Sequence, residues 1–234
     1  MQSKSKNPHL YRIMDFTRVV QIFENKELYF AKPGTWDDPY EQRIKHAQDH
    51  AIFAQCWGQS PISDAMWRIY SQNGTGVRIS TTLEKLTAVM KTACKEHKYL
   101  RRVKKVEYLS QKEIDNHARE IAKDLRCDFD ISRAVDILYM KREAFSHETE
   151  WRAMFYTPYE SREIDKKGIF VKVDPHKFID RILLDPRAPV ELVNAFEYYF
   201  KEKLQFKGNV QRSSLYKVPD PYVIENNSIS ADDL

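Results

Sequence analysis

The sequence predicts a single α+β domain, and three observations carry that expectation. The chain has 234 residues, 42% of them hydrophobic, which suits one globular domain of ordinary size. Its hydrophobic period switches repeatedly between strand-like and helix-like over short stretches. It holds no internal repeat and no low-complexity linker. The expected layout is a mixed or antiparallel sheet whose two portions frame a cleft, with a mainly helical insert over about residues 110–142. The domain is expected to span 1–217, followed by a flexible acidic tail over 218–234.

The elements follow in chain order. Leu10–Ile13 reads as a first strand, and Asp15 can cap a helix carrying Phe16, Val19, Val20 and Phe23 on one face. Glu27–Ala31 reads as a strand before a turn rich in Pro, Gly and Asp over Lys32–Pro39. A buried strand at Ala51–Trp57 and a helix from about Ser63 to Tyr70 come next. Asn73–Gly76 turns the chain into a strand at Gly76–Ser80, and a helix follows at Thr82–Ala93. Val103–Leu109 is read as one strand, and Ser110–Leu125 and Ile131–Arg142 as two helices. Strands return at Glu150–Tyr156, Gly168–Val173 and Ile179–Leu184. An amphipathic helix covers Val190–Lys203, a last strand lies near Val210–Tyr216, and the chain turns polar and acidic from Pro219.

Composition excludes several classes of function. Six glycines, with neither GxGxxG nor GxxxxGK[ST], leave no glycine-rich phosphate loop. The longest apolar runs are strand-sized, so no membrane span is expected. The polar start, Met1–His9, has no apolar core of a secretory signal. Three cysteines without a CxxC pair suit a reducing compartment, and a cytoplasmic location is expected. Lys+Arg 38 against Asp+Glu 34 gives +4, too mild a bias to imply nucleic acid by itself.

Three constellations carry chemistry. Arg12, at the end of the first strand, can present its planar fork to a phosphate or carboxylate, or can pair with Asp37, Asp38 or Glu41 and staple the following turn. Met66, Ile69 and Tyr70 sit at helical spacing, usually a core stripe, although Trp67 with Tyr70 can instead wall a flat ring. Glu148 and Glu150 stand at i and i+2 at the mouth of a strand, which points both to one side. Such a pair can hold a sugar hydroxyl and stabilise a developing oxocarbenium ion. His46 and His50 read as surface histidines rather than a metal pair. The basic run Lys91–Lys105 is either a solvated face or a polyanion contact.

In this order the blocks resemble a bacterial family of unknown function, domain-of-unknown-function family 2971. The motifs are Tyr11-Arg12, Leu28–Pro33, Trp36–Tyr40, Cys56-Trp57, Met66–Tyr70, Gly76–Ile79, Glu148–Arg152 and Ser213–Tyr216. Trp36-Asp37 stands where that pattern has Phe-Asn, and Trp57 where it has Phe. Some members occur in phage-defence and abortive-infection settings, so the resemblance implies a toxin or defence role. The layout is also similar to ADP-ribosyltransferases. That similarity implies NAD as substrate, with Arg12 holding its ribose or phosphate and one of Tyr29 or Tyr70 packing on the nicotinamide. Trp67 joins the aromatic wall. Glu150 bonds the nicotinamide-side ribose, and Glu148 faces the acceptor, a nucleic acid or protein. A cognate antitoxin is an implied partner, and no metal is needed. Two rival readings stand beside this one. A metal-dependent nuclease would use Asp37, Asp38, Glu41 and Glu148 or Glu150. A non-enzymatic binding or sensor module would bury Arg12 in a salt bridge, with no open cleft beside Glu150.

Overall fold

The computed structural model describes residues 7–36, 38–61, 63–157 and 167–222. The chain opens with β1 (His9–Asp15), α1 (Phe16–Asn25) and β2 (Glu27–Ala31), then short 3-10 turns lead to β3 (Ile52–Gly58). Next come α2 (Asp64–Tyr70), β4 (Gly76–Thr82), α3 (Leu83–His97), β5 (Leu100–Lys105) and β6 (Glu107–Leu109). The insert holds α4 (Gln111–Cys127), α5 (Ile131–Ala134) and β7 (Met140–Arg142). After it run β8 (Glu150–Tyr156), β9 (Gly168–Lys172), α6 (Pro175–Phe178), β10 (Arg181–Leu184), α7 (Val190–Tyr198) and β11 (Asn209–Arg212).

Local chemistry sets the helix ends. Ser63 caps α2 and Thr82 caps α3 through side-chain oxygens that accept backbone N–H groups. Ser110 and Glu113 form a reciprocal capping box at the start of α4. Asp15 stands at the N-cap of α1 as expected, but its side chain makes no capping bond.

Among the described residues nine strands form one mixed sheet, mostly antiparallel, with β10 and β11 parallel. One portion runs β1–β4–β10–β11, and another runs β3–β8–β5. β3 pairs with β8 along its whole length, from Ile52↔Tyr156 to Gly58↔Glu150. To β1 it is joined only at Tyr11↔Gly58. A Cβ at Gly58 would sit 3.3 Å from the Glu148 carbonyl oxygen, so glycine suits this close junction. The two portions therefore meet at Gly58, and a cleft opens beside the junction.

Both faces of β3 are covered, as its mostly apolar run, interrupted only by Gln55, leads one to expect. Phe53 and Trp57 face a core with Val19, Phe23, Leu86, Met90 and Phe200. Ile52 and Ala54 face a second core with Ile114, Ile121, Val135 and Tyr139 from the insert. Burying each such large side chain stabilises the fold by about 1.5–3 kcal/mol.

One expectation for the insert and one for the segment before it fail. Ile131–Arg142 is not one helix: α5 stops at Ala134, a 3-10 turn follows, and Met140–Arg142 pairs in parallel with Glu107–Leu109. Val103–Leu109 is two strands, because β5 follows β8 whereas β6 turns to β7. The last strand ends at Arg212, and a 3-10 turn covers Ser214–Tyr216. Most of the expected tail lies outside the described residues; Val218 and Tyr222 are exposed. Among the described residues no helix is long and apolar enough to cross a membrane.

Candidate active site

A cavity of about 350 Å³ lies at the junction of the sheet portions. β1 supplies Arg12, β3 supplies Cys56, α2 supplies Trp67 and Tyr70, and Glu148 and Glu150 come from the turn into β8. The guanidinium of Arg12 is half-buried, and burial lowers its hold on its proton. Among the described residues no carboxylate pairs with it. Asp38 is instead bonded by Arg142 at 3.0 Å, and Glu41 by Arg152. Asp37 lies outside the described residues.

Glu150 is buried and firmly held. The Nε–H and Nη2–H of Arg152 donate to its two carboxylate oxygens at 2.8 and 2.9 Å. Lys141 Nζ lies 3.4 Å from Oε2, and the Glu150 backbone N–H donates to Tyr108 Oη at 2.8 Å. Burial pushes the Glu150 carboxyl up, but the charge and hydrogen bonds of Arg152, with Lys141, outweigh it and hold it below its ordinary range. Glu148 accepts from Lys141 at 2.6 Å. Lys141 also lies 3.9 Å from Glu41. Three carboxylates and two cations thus form one cluster, which carries one net negative charge when all are ionised. Burial pushes Glu41 up against the pull of Arg152 and Lys141.

Glu148 and Glu150 share the cavity for a reason other than strand alternation. Glu148 ends a 3-10 turn, and Thr149 sits at φ 46° before β8 begins at Glu150. A β-branched residue there costs about 1–2 kcal/mol. Neighbouring bonds hold it: Ser60 N–H donates to Thr149 Oγ1 at 3.0 Å, and Gln59 N–H to its carbonyl at 3.1 Å.

The aromatic residues divide. Trp67 is 1% exposed and is a core wall that the cavity touches. Tyr70 is 44% exposed and lines the same cavity, its phenol pushed up by burial and then by Glu148. Tyr29 does not join them. It pairs across β2–β9 with Phe170, ring centroids 5.0 Å apart, and lines a larger cavity of about 970 Å³. Arg12, Met14, Asp15 and Arg18 border both cavities, so the two spaces meet at Arg12.

Sequence reasoning missed Lys141, Tyr108 and the clamp by Arg152. Glu150 and Arg152 stand at i and i+2 in β8, a same-face pairing that the sequence offered. Cys56 also lines the site, and burial, then the charge of Glu150, pushes its thiol up, which keeps it a thiol. The carboxylates a nuclease would need are engaged by Lys141, Arg142 and Arg152. Among the described residues no group of three or more His, Cys, Asp or Glu side chains has metal-site geometry. His46 is half-buried rather than on the surface, 2.9 Å from Asp49 and packed on Phe129. In the basic run, Lys104 and Lys105 are exposed on β5, which among the described residues pairs only with β8, a common guard against edge pairing. Arg102 is bonded to Asp136 at 2.5 Å.

A family model described as "Protein of unknown function (DUF2971)" matches residues 66–153, from α2 into β8. The matched stretch contains the Met66–Tyr70, Gly76–Ile79 and Glu148–Arg152 blocks. No curated protein sequence matches the chain. Among solved structures, it is similar to DarT of Thermus sp. 2.9 in complex with NAD+, at 9% identity and a TM-score of 0.44, covering 90% of this chain and 98% of that one. It is likewise similar to the same DarT in complex with carba-NAD+, at 11% identity and a TM-score of 0.40, covering 89% and 97%.

Proposed function

We propose that the protein cleaves the nicotinamide–ribose bond of NAD and transfers ADP-ribose to a nucleic acid or protein acceptor, or to water. The observation that carries this reading is one cavity lined both by Arg12, with no carboxylate partner among the described residues, and by the buried pair Glu148 and Glu150. A cation without a counterion opposite an excess of carboxylate suits a ligand that is anionic at one end and turns cationic at the other.

The two cavities that meet at Arg12 fit the two halves of a dinucleotide. The nicotinamide riboside lies in the smaller one against Tyr70 and Trp67. The diphosphate sits at Arg12 and Arg18, and the adenosine half lies toward Tyr29 and Phe170. The bond between ribose C1′ and the nicotinamide nitrogen breaks, and nicotinamide leaves with the bonding electrons. The ribose becomes an oxocarbenium ion, which Glu150 stabilises by its charge and by accepting a bond from a ribose hydroxyl. An acceptor oxygen or nitrogen then bonds C1′, and Glu148 takes its proton.

Such chemistry would make the protein a toxin or defence factor of the cytoplasm, held in check by a cognate antitoxin and released during phage infection. The test is nicotinamide release from NAD by the full chain, in chelator, with cellular RNA, DNA or protein as acceptor. Release that needs a divalent metal, or no release under any condition, would reject the reading.

A further inference from the structure

A third cavity, of about 680 Å³, lies beyond a wall of Tyr11, Trp67 and Arg78 that it shares with the smaller cavity. Its floor is the sheet face of β1, β4, β10 and β11. The registers Tyr11↔Ser80, Arg181↔Ser80, Leu183↔Arg78 and Leu183↔Gln211 put all of these residues on that one face.

The floor carries unneutralised positive charge. Arg78 is buried, donates to the Pro61 carbonyl and lies 4.7 Å over the Tyr11 ring. Arg181 is exposed at the next diagonal position. Among the described residues neither has a carboxylate partner. Burial lowers Arg78's hold on its proton, and the charge of Arg181 adds to that repulsion. The one carboxylate in the described lining, Asp180, is engaged by Lys85 through Oδ1, while its Oδ2 is buried with no hydrogen-bond partner among the described residues. His9 and the hydroxyls of Ser80, Ser213 and Ser214 complete the polar wall. Two guanidiniums facing one space repel until an anion neutralises both, and a phosphate dianion matches their forks. The volume leaves room for more than a bare phosphate.

We propose that this cavity binds a phosphate ester of sugar-phosphate or nucleotide size, separately from NAD, with Arg78 and Arg181 as its anion contacts. The shared wall makes the bound phosphate a neighbour of the proposed catalytic cavity. A bare diphosphate belonging to NAD itself would offer the same chemistry, so the test separates the two sources. The probes are inorganic pyrophosphate and ribose 5-phosphate, titrated calorimetrically into the full chain at fixed ionic strength. Wild type is expected to bind ribose 5-phosphate with one-to-one stoichiometry in the presence of saturating NAD, whereas pyrophosphate held at Arg12 and Arg18 would be displaced by NAD. Arg181→Ala, at an exposed position, is expected to weaken that binding about tenfold or more, the loss of a charge-assisted bond. Lys203→Ala should not change it. Nicotinamide release by Arg181→Ala should keep its wild-type KM. No binding of ribose 5-phosphate, equal binding of it by Arg181→Ala, or its competitive displacement by NAD would overturn the proposal.

Discussion

Arg152 grips Glu150 with two parallel bonds, Nε–H to Oε1 at 2.8 Å and Nη2–H to Oε2 at 2.9 Å, in a place where Arg152 is only 1% exposed. The same guanidinium donates to the Leu138 carbonyl at 2.6 Å and lies 4.2 Å over the Trp36 ring. One arginine therefore ties β8 to the insert and to the turn after β2, and it fixes the carboxylate of the candidate active site in one orientation.

Removing that arginine strands two buried carboxylates, Glu150 and Glu41. Arg152→Ala should cost about 3–5 kcal/mol of stability. Arg152→Lys keeps the charge but loses the fork, and should recover only part of it. Urea unfolding measures both; a loss below about 1 kcal/mol in Arg152→Ala would show that the cluster does not hold the fold.

Arg12 is the opposite case, a half-buried cation with no carboxylate partner among the described residues. Arg12→Met keeps the bulk and removes the desolvated charge, so the free protein should melt at a higher temperature. The same variant should bind NAD at least tenfold more weakly, because the diphosphate loses a charge-assisted partner. A lower melting temperature with unchanged NAD affinity would mean that Arg12 serves the fold alone.

The sheet was legible in the sequence where the pattern was unambiguous. The run Ala51–Trp57 reads as a buried strand, and β3 (Ile52–Gly58) is that strand. Arg12 stands out by its place at the end of the first strand, and Glu148 and Glu150 by their i, i+2 spacing at the mouth of a strand. Lys141 was not legible. Met140-Lys141-Arg142 reads as the polar end of a helix, and only carboxylates from Glu41, Glu148 and Glu150 make it a buried strand residue. Tertiary pairing with β6 overrode the helical period there. Tyr29 was misplaced because nothing local says which side of the split sheet its ring will meet.

Acid sensitivity should follow from two carboxylates. Glu150 is held below its ordinary value of 4.5, since Arg152 and Lys141 outweigh burial. Asp185 is held below 3.8, since Arg187 and Ser71 outweigh burial. A depressed folded pKa gives stability that is present above the ordinary value and lost as pH falls through the folded one. Melting temperature should therefore fall steeply below about pH 4.5. Glu41 is shifted upward and acts in the other sense, losing its contribution as pH rises through its raised value. Glu150→Gln should flatten the acid limb; an acid limb identical to wild type would contradict the linkage.

The larger cavity gives a separate kinetic signature. Tyr29 lies there, away from Glu150. Tyr29→Ala should raise the KM for NAD about tenfold, as expected for a lost base-stacking ring, and leave kcat near wild type. A fall in kcat alone would place Tyr29 at the nicotinamide end instead.

The most direct test is the steady-state rate of nicotinamide release by Glu150→Gln, with NAD binding measured separately by calorimetry. The substitution keeps the shape and removes the charge that the proposed reading sets against the ribose. If Glu150 stabilises an oxocarbenium ion, its contribution exists mainly in the transition state. Release should then fall on the order of 100- to 1000-fold. NAD affinity should stay within about threefold of wild type. Release at the wild-type rate, or a loss of NAD affinity that accounts for the whole fall, would contradict Glu150 as the catalytic carboxylate.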